Sequence, residues 1–214
     1  MQPFNATTLM NLPSPFTYAL MALNVAVSLW GFKAINKGTD YRRHLFIPNE
    51  VAKGRNLIGL VLSNFSHADL WHLIFNMLTL YFFGPVVEQF LGPHILTIYG
   101  LAGMVALLLV FILRKNNPAY RVLGSSGSIT GILFAAIVLK PEMSVYFMLI
   151  PIPLPAPLFA VIYILFSTYF LDREVGNVAH EAHIGGAITG FVLAGLLAPF
   201  GFTEILARIH RLLP

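Results

Sequence analysis

The stretch Gly124-Ser125-Ser126-Gly127-Ser128-Ile129-Thr130-Gly131 is polar and glycine-rich, and it runs straight into the apolar segment Ile132 to Leu139. Hydrocarbon offers hydroxyls and backbone groups no hydrogen-bond partners, so a patch of this kind at the head of an apolar helix needs a reason. We read Ser126 as a nucleophile held below a membrane surface. A serine hydroxyl is weakly nucleophilic until a base takes its proton, and histidine suits that task because its pKa lies near neutrality. His183 supplies such a base. His72 and Asn76 stand four residues apart and so project from one helix face. Both can donate hydrogen bonds, which acyl transfer requires where the tetrahedral oxyanion forms. The backbone N–H of Ser126 would be a third donor. Ser125 and Ser128 are rival nucleophiles, ranked below Ser126.

Each group also has a plainer explanation. A histidine such as His183 can serve only to hydrogen-bond neighbouring helices together, and His72 with Asn76 can be a polar packing cluster. Their joint occurrence with Ser126 favours chemistry. The run His180-Glu181-Ala182-His183 superficially resembles a zinc-protease pattern. That pattern needs two histidines four positions apart, so that both ligate from one helix face, and here the separation is three. No metal and no cofactor is expected. The Gly-x-Ser-x-Gly elbow of soluble hydrolases is not met either, because Ser128 stands in place of its second glycine.

The elements that position these residues must be membrane helices. The chain has 214 residues, 57% of them hydrophobic and only 10% charged, against roughly a quarter charged in soluble domains. The absence of cysteine rules out disulfides and thiol nucleophiles. The net charge of +4 suits anionic lipid headgroups. Nucleic acid is not expected, since no basic run is interleaved with stacking aromatics. The N-terminus does not read as a signal peptide, because Met1 to Pro15 carries no Lys or Arg. Asn5-Ala6-Thr7 is a weak glycosylation match.

Spans need about 20 apolar residues. The expected helices are Phe16 to Phe32, Leu70 to Phe90 with Asp69 as N-cap, His94 to Leu113, a short one from the serine-glycine patch to Lys140-Pro141, Leu158 to Leu171, and Ala179 to Pro199. Lys33 to Arg55 is too polar to span, and Leu57 to Leu62 is too short. The prolines at 151, 153, 155 and 157 exclude helix interior and imply an extended or broken connection before the fifth helix. Thr203 to Leu213 has apolar residues near helical spacing and reads as an interfacial amphipathic helix. The fold class is therefore all-α, a six-helix polytopic membrane bundle. Residues 1–15 form an N-terminal segment, 16–199 the helical domain and 200–214 an amphipathic tail. Helices two, four and six start on the same membrane side. That places His72, Asn76, Ser126 and His183 at one depth, and polar groups inside membrane segments are functional candidates. Gly186 and Gly190 give the sixth helix a small-xxx-small face on which the fourth can pack closely.

With these motifs in hand, the chain resembles the rhomboid intramembrane serine proteases of the minimal six-helix prokaryotic type. The residues that carry the likeness are Gly124-Ser125-Ser126-Gly127, His72-Leu73-Ile74-Phe75-Asn76, and Ala182-His183-Ile184-Gly185-Gly186 with Gly190. Ser66-His67-Ala68-Asp69, Gly84-Pro85-Val86-Val87-Glu88 and Ile150-Pro151-Ile152-Pro153 add to it, and the likeness covers about Phe16 to Pro199. It implies a Ser126–His183 dyad without a catalytic aspartate, and an oxyanion site from His72, Asn76 and the Ser126 backbone. Gly124, Ser125 and Gly127 would contact substrate, and Glu88 would be a structural glutamate. The implied substrates are transmembrane-helix proteins, the implied setting is membrane lipid in a bacterial cytoplasmic membrane, and the implied gate is the fifth helix with the loop Asp172 to Val178. The alternative is a rhomboid-like protein that binds transmembrane helices without cutting them.

The chain departs from the family pattern in two places. Tyr41-Arg42 stands near where rhomboids often carry Trp-Arg. Thr130 stands four residues after the nucleophile, where an aromatic usually packs on the histidine. Orientation pulls two ways. The family opens its site outward, whereas Lys33, Lys37, Arg42, Arg43, Lys53, Arg55, Arg114, Lys115 and Arg121 on the site's side would, by the positive-inside rule, face the cytoplasm. We follow the family.

Overall fold

The computed structural model describes residues 13–146, 152–171 and 179–211. Outside them lie the Asn5 triplet, most of segment 1–15, Pro151 and the expected gate loop Asp172 to Val178. All six expected helices are present: α1 (Pro15–Asn36), α2 (Leu70–Leu91), α3 (His94–Arg114), α4 (Ser126–Leu139), α5 (Ala156–Tyr169) and α6 (His180–Leu197), followed by α7 (Gly201–His210). Among the described residues, α1, α2 and α3 are each long and apolar enough to cross a membrane, and α6 with α7 passes that test as a bent pair. Punctuation in the sequence sets the ends. Asp69 Oδ1 accepts from the His72 backbone N–H at 2.8 Å and starts α2, worth about 1 kcal/mol for such a cap. Gly92, at φ 55°, stops it.

The helices α4 and α5 have 14 residues each, yet the fold uses them differently. Every residue of α4 from Gly127 to Leu139 is buried. In α5 only Ala156, Phe159 and Ser167 are buried, while Val161, Leu165 and Phe166 face outward. Lipid tails are as apolar as a leucine core, so hydrophobicity does not sort inside from outside; small residues do, because they allow backbones to approach. The helix α4 is rich in Gly, Ala and Ser, and α2, α3 and α6 surround it. A β-carbon at Gly186 or Gly190 would fall inside the van der Waals radius of the Gly127 or Gly131 carbonyl oxygen, so α6 can lie this close only with glycine there. Enclosed by protein, α4 need not span the hydrocarbon. It is about 21 Å long at 1.5 Å per residue, shorter than a hydrocarbon core of about 30 Å.

The helix α1 turns a polar stripe inward. Glu88, on α2, accepts from the Phe16 and Thr17 backbone N–H groups at 3.0 and 2.8 Å and from the Thr17 hydroxyl at 2.6 Å. The carboxylate thus caps the first turn of α1, where N–H groups lack intrahelical partners and the helix dipole favours negative charge. Further along, Asn24 Nδ2 donates to the Tyr99 hydroxyl at 2.9 Å, whose own hydrogen reaches the Asn64 carbonyl at 3.0 Å.

Two connections carry structure that residue types did not foretell. The proline-rich segment is β2 (Pro153–Pro155), paired antiparallel with β1 (Ser144–Tyr146) in the register Val145 to Leu154. The polar first loop is folded: a 3-10 turn spans Tyr41–His44, and Phe46 forms a β-bridge with Val122. Tyr41 stacks on His44 with ring centroids 5.7 Å apart, and Arg42 is ion-paired to Glu50. The residues in place of Trp-Arg therefore still brace this loop. After α6 the chain bends by 109° into α7, where Arg208 and Arg211 pair with Glu204. The side chains of Ile205, Ile209, Leu212 and Leu213, on which the amphipathic expectation partly rested, lie outside the described residues.

Candidate active site

The loop leading into α4 is anchored from the first loop. Val122 and Phe46 exchange backbone hydrogen bonds at 2.9 Å each, and the Gly124 N–H reaches the Ser63 carbonyl at 3.0 Å. Gly124 has φ 137°, a region closed to most side chains. A β-carbon there would lie 2.7 Å from His72 Cε1, so the glycine lets the His72 ring sit against the loop. The first backbone bond of α4 is donated by Ile129 to the Ser125 carbonyl. The N–H of Ser126 lies ahead of that bond, at the positive end of the helix dipole.

Ser126, His183, His72 and Asn76 line one cavity of about 1860 Å³. Three helices that are not neighbours in sequence, α2, α4 and α6, bring them together at their starts. The cavity continues between α2 and α5, past Phe75, Phe82 and Phe159. The Asn76 amide donates one hydrogen to the His72 carbonyl at 2.8 Å.

Gly124, Ser125 and Gly127, expected to contact substrate, are not among the residues lining this cavity; each is committed to packing instead. Gly127 packs against Ala106 and the Ala182 carbonyl. Ser125 is fully buried, and its hydroxyl lies 3.0 Å from His67 Nε2. His67 Nδ1 lies 2.8 Å from the Ser28 hydroxyl, which itself donates to the Phe65 carbonyl. Only one tautomer satisfies all three contacts: Nδ1–H donates to Ser28, and Nε2 accepts from Ser125. The second rival, Ser128, is also buried, with its hydroxyl unpartnered among the described residues.

Three further residues at the site carried no such signal in the sequence. His67 had been read only as part of the approach to α2. Its ring lies edge-on to His72 with centroids 5.0 Å apart, so it supports both the loop before α4 and His72. Tyr163, within an ordinary apolar run of α5, lies against His183 with ring centroids 6.1 Å apart and a tilt of 32°. Its hydroxyl is 3.1 Å from the Thr130 hydroxyl. Glu181 enters the sequence reading only as part of the run His180-Glu181-Ala182-His183. It accepts from Arg114 Nε at 3.0 Å and from the Tyr120 hydroxyl at 2.6 Å. Burial and the adjoining Glu181 carboxylate push the Tyr120 phenol up, which keeps it a donor. Arg114 also donates to the Leu171 carbonyl just beyond α5, at 2.6 Å. Among the described residues, no group of three His, Asp or Glu side chains is placed to hold a metal ion.

The sequence pattern of the Rhomboid domain covers residues 54–200. The chain belongs to the rhomboid family. It is 30% identical over 151 residues to RHOMBOID-like protein 12, mitochondrial, of Arabidopsis thaliana, covering 63% of this chain and 45% of that protein. It is 26% identical over 183 residues to Rhomboid protein 1, mitochondrial, of Saccharomyces cerevisiae, covering 83% and 52%. To Presenilin-associated rhomboid-like protein A, mitochondrial, of Danio rerio, it is 28% identical over 180 residues, covering 80% and 45%. The chain thus spans about half the length of these relatives. All three are eukaryotic and mitochondrial by name, so the minimal prokaryotic type and the bacterial cytoplasmic membrane expected from the sequence find no support. This rhomboid is an integral, multi-pass membrane protein.

Proposed function

We propose that this rhomboid is an intramembrane serine endopeptidase with Ser126 as nucleophile and His183 as general base and acid. Family membership supports intramembrane proteolysis in general. The observation that carries the finer assignment is the convergence of Ser126, His183, His72 and Asn76 on one cavity. In this reading a substrate transmembrane segment enters beside α5 and unwinds, which presents a peptide carbonyl to the cavity. Ser126 Oγ attacks the carbonyl carbon as His183 takes its proton. The resulting oxyanion accepts hydrogen bonds from the Ser126 N–H, the second hydrogen of the Asn76 amide, and His72. The C–N bond then breaks, and the amine leaves with the proton from His183. Water, deprotonated by His183, attacks the ester and frees Ser126 and the second product.

The partial burial of Ser126 in the cavity wall suits this chemistry, because donors aimed into a partly dry site are worth more than the same donors in bulk water. Removing one such donor typically costs about 10²- to 10³-fold in rate. The test is cleavage of a set of transmembrane substrates in proteoliposomes by wild type, Ser126→Ala, His183→Ala and Asn76→Ala. Cleavage by wild type that is lost in the first two and reduced in the third is expected. Helix binding without cleavage by wild type would instead establish the non-proteolytic binder.

A further inference from the structure

The position four residues after Ser126 is Thr130, so α4 itself places no ring on His183. Besides His180 of its own helix, edge-on at 6.1 Å, the ring that lies against His183 is Tyr163 on α5, and Thr130 contacts the Tyr163 hydroxyl at 3.1 Å. Phe134 and Phe159 pack on the same ring, with centroids 5.6 and 5.9 Å away. This differs in kind from a ring carried on α4. The helix α4 is enclosed on all sides, whereas most of α5 faces outward: Val161 and Leu165 are 56% and 65% exposed. The residue that backs the proposed base therefore rides on an outward-facing helix that lines the cavity through Phe159 and Tyr163.

We infer that Tyr163 is a positioning residue for His183, and that it ties alignment of the base to the seating of α5. The inference rests on the assignment of Ser126 and His183 above. While α5 is packed on α4, Tyr163 and Thr130 fix the face of the imidazole. If α5 swings outward to admit a substrate helix, the ring leaves with it and His183 loses its backing. Acylation then proceeds only once α5 has returned, so entry and bond cleavage are separate steps. Thr130 is the static half of this contact and Tyr163 the mobile half.

The experiment compares a small probe with a large substrate. A fluorophosphonate reacts with an activated serine: an O–P bond forms, fluoride leaves, and the serine proton passes to the histidine. Such a probe is small enough to need no opening of α5, whereas a transmembrane substrate does need it. Labelling rate, kcat and KM are measured in detergent for wild type, Tyr163→Ala, Tyr163→Phe, Thr130→Val and the double variant Tyr163→Ala/Thr130→Tyr, with thermal midpoints as the folding control.

Loss of positioning in Tyr163→Ala lowers both the labelling rate and kcat by about ten- to a hundredfold, with KM little changed, since small misplacements of a reacting group carry costs of that size. Tyr163→Phe and Thr130→Val keep the ring and stay within about fivefold of wild type. The double variant regains labelling by presenting a ring from α4. Unchanged or faster labelling in a folded Tyr163→Ala would overturn the inference, as would a defect confined to the transmembrane substrate, which marks a purely gating role. Failure of the underlying assignment looks different: wild type itself goes unlabelled, or Ser126→Ala labels as well as wild type.

Discussion

Two combinations of serine and histidine can be compared in this molecule, Ser125 with His67 and Ser126 with His183. Ser125 and His67 are in hydrogen-bond contact: the hydroxyl is 3.0 Å from Nε2, and the ring's other nitrogen is held by Ser28. On hydrogen-bond pattern alone they would pass for a nucleophile, a base and an orienting group. Yet both are buried, at 0% and 1% exposure, and neither lines the cavity. Ser126 and His183 are partly exposed and do line it. The difference teaches that access, together with donors placed for an oxyanion, separates a reactive serine from a structural one. The first pair shapes the loop, and the second lines the cavity.

The largest effects should fall on the open pair. Ser126→Ala or His183→Ala lowers cleavage by about 10³-fold or more, as expected when residues act as a unit, with little change in thermal midpoint. Ser125→Ala retains most activity; if it abolished cleavage in a folded protein, the contrast between the pairs would break. Next comes packing that brings the second pair together. Gly190→Val forces a branched side chain into the Gly131 carbonyl and costs about 3 kcal/mol, read as a lower unfolding midpoint in mixed micelles. His67→Ala leaves the Ser125 and Ser28 hydroxyls buried without that partner, at about 1–3 kcal/mol, and slows cleavage by loosening the loop. A variant that lost activity without losing stability would move His67 from support into chemistry.

The smallest effect concerns pH and the first loop. His44 is buried there, 2.8 Å from the Ser66 hydroxyl, and burial lowers its pKa more strongly than Asp40 raises it. The folded state therefore resists protonation more than the unfolded chain does. Its contribution to stability is complete above the unfolded value of about 6.5 and falls away as pH drops below it. The thermal midpoint of wild type should decline between about pH 7.5 and 5.5 more than that of His44→Asn.

Much of this was legible in the residues. The ends of α2 and α3 follow from Asp69, Gly92-Pro93 and Arg114-Lys115, since caps and breakers act locally. Ser126, His72, Asn76 and His183 stood out because polar groups are costly in an apolar chain, and helix parity placed them at one depth. What was hidden depends on contacts between distant segments. Tyr163 sits in a largely apolar run of α5, so nothing in the sequence marks it as the α5 ring that meets His183. His67 looked like part of a helix start, and its partners Ser28 and Ser125 lie 39 and 58 residues away. The β1–β2 pairing was masked by prolines, which read as a broken connection although their carbonyls can still accept.

The most direct test is to map the adduct of a fluorophosphonate probe by mass spectrometry in the wild-type protein. The expected result is a single adduct on Ser126, absent in Ser126→Ala and strongly slowed in His183→Ala. An adduct on Ser125 that depends on His67 and persists in Ser126→Ala would contradict the assignment and make the buried pair the reactive one.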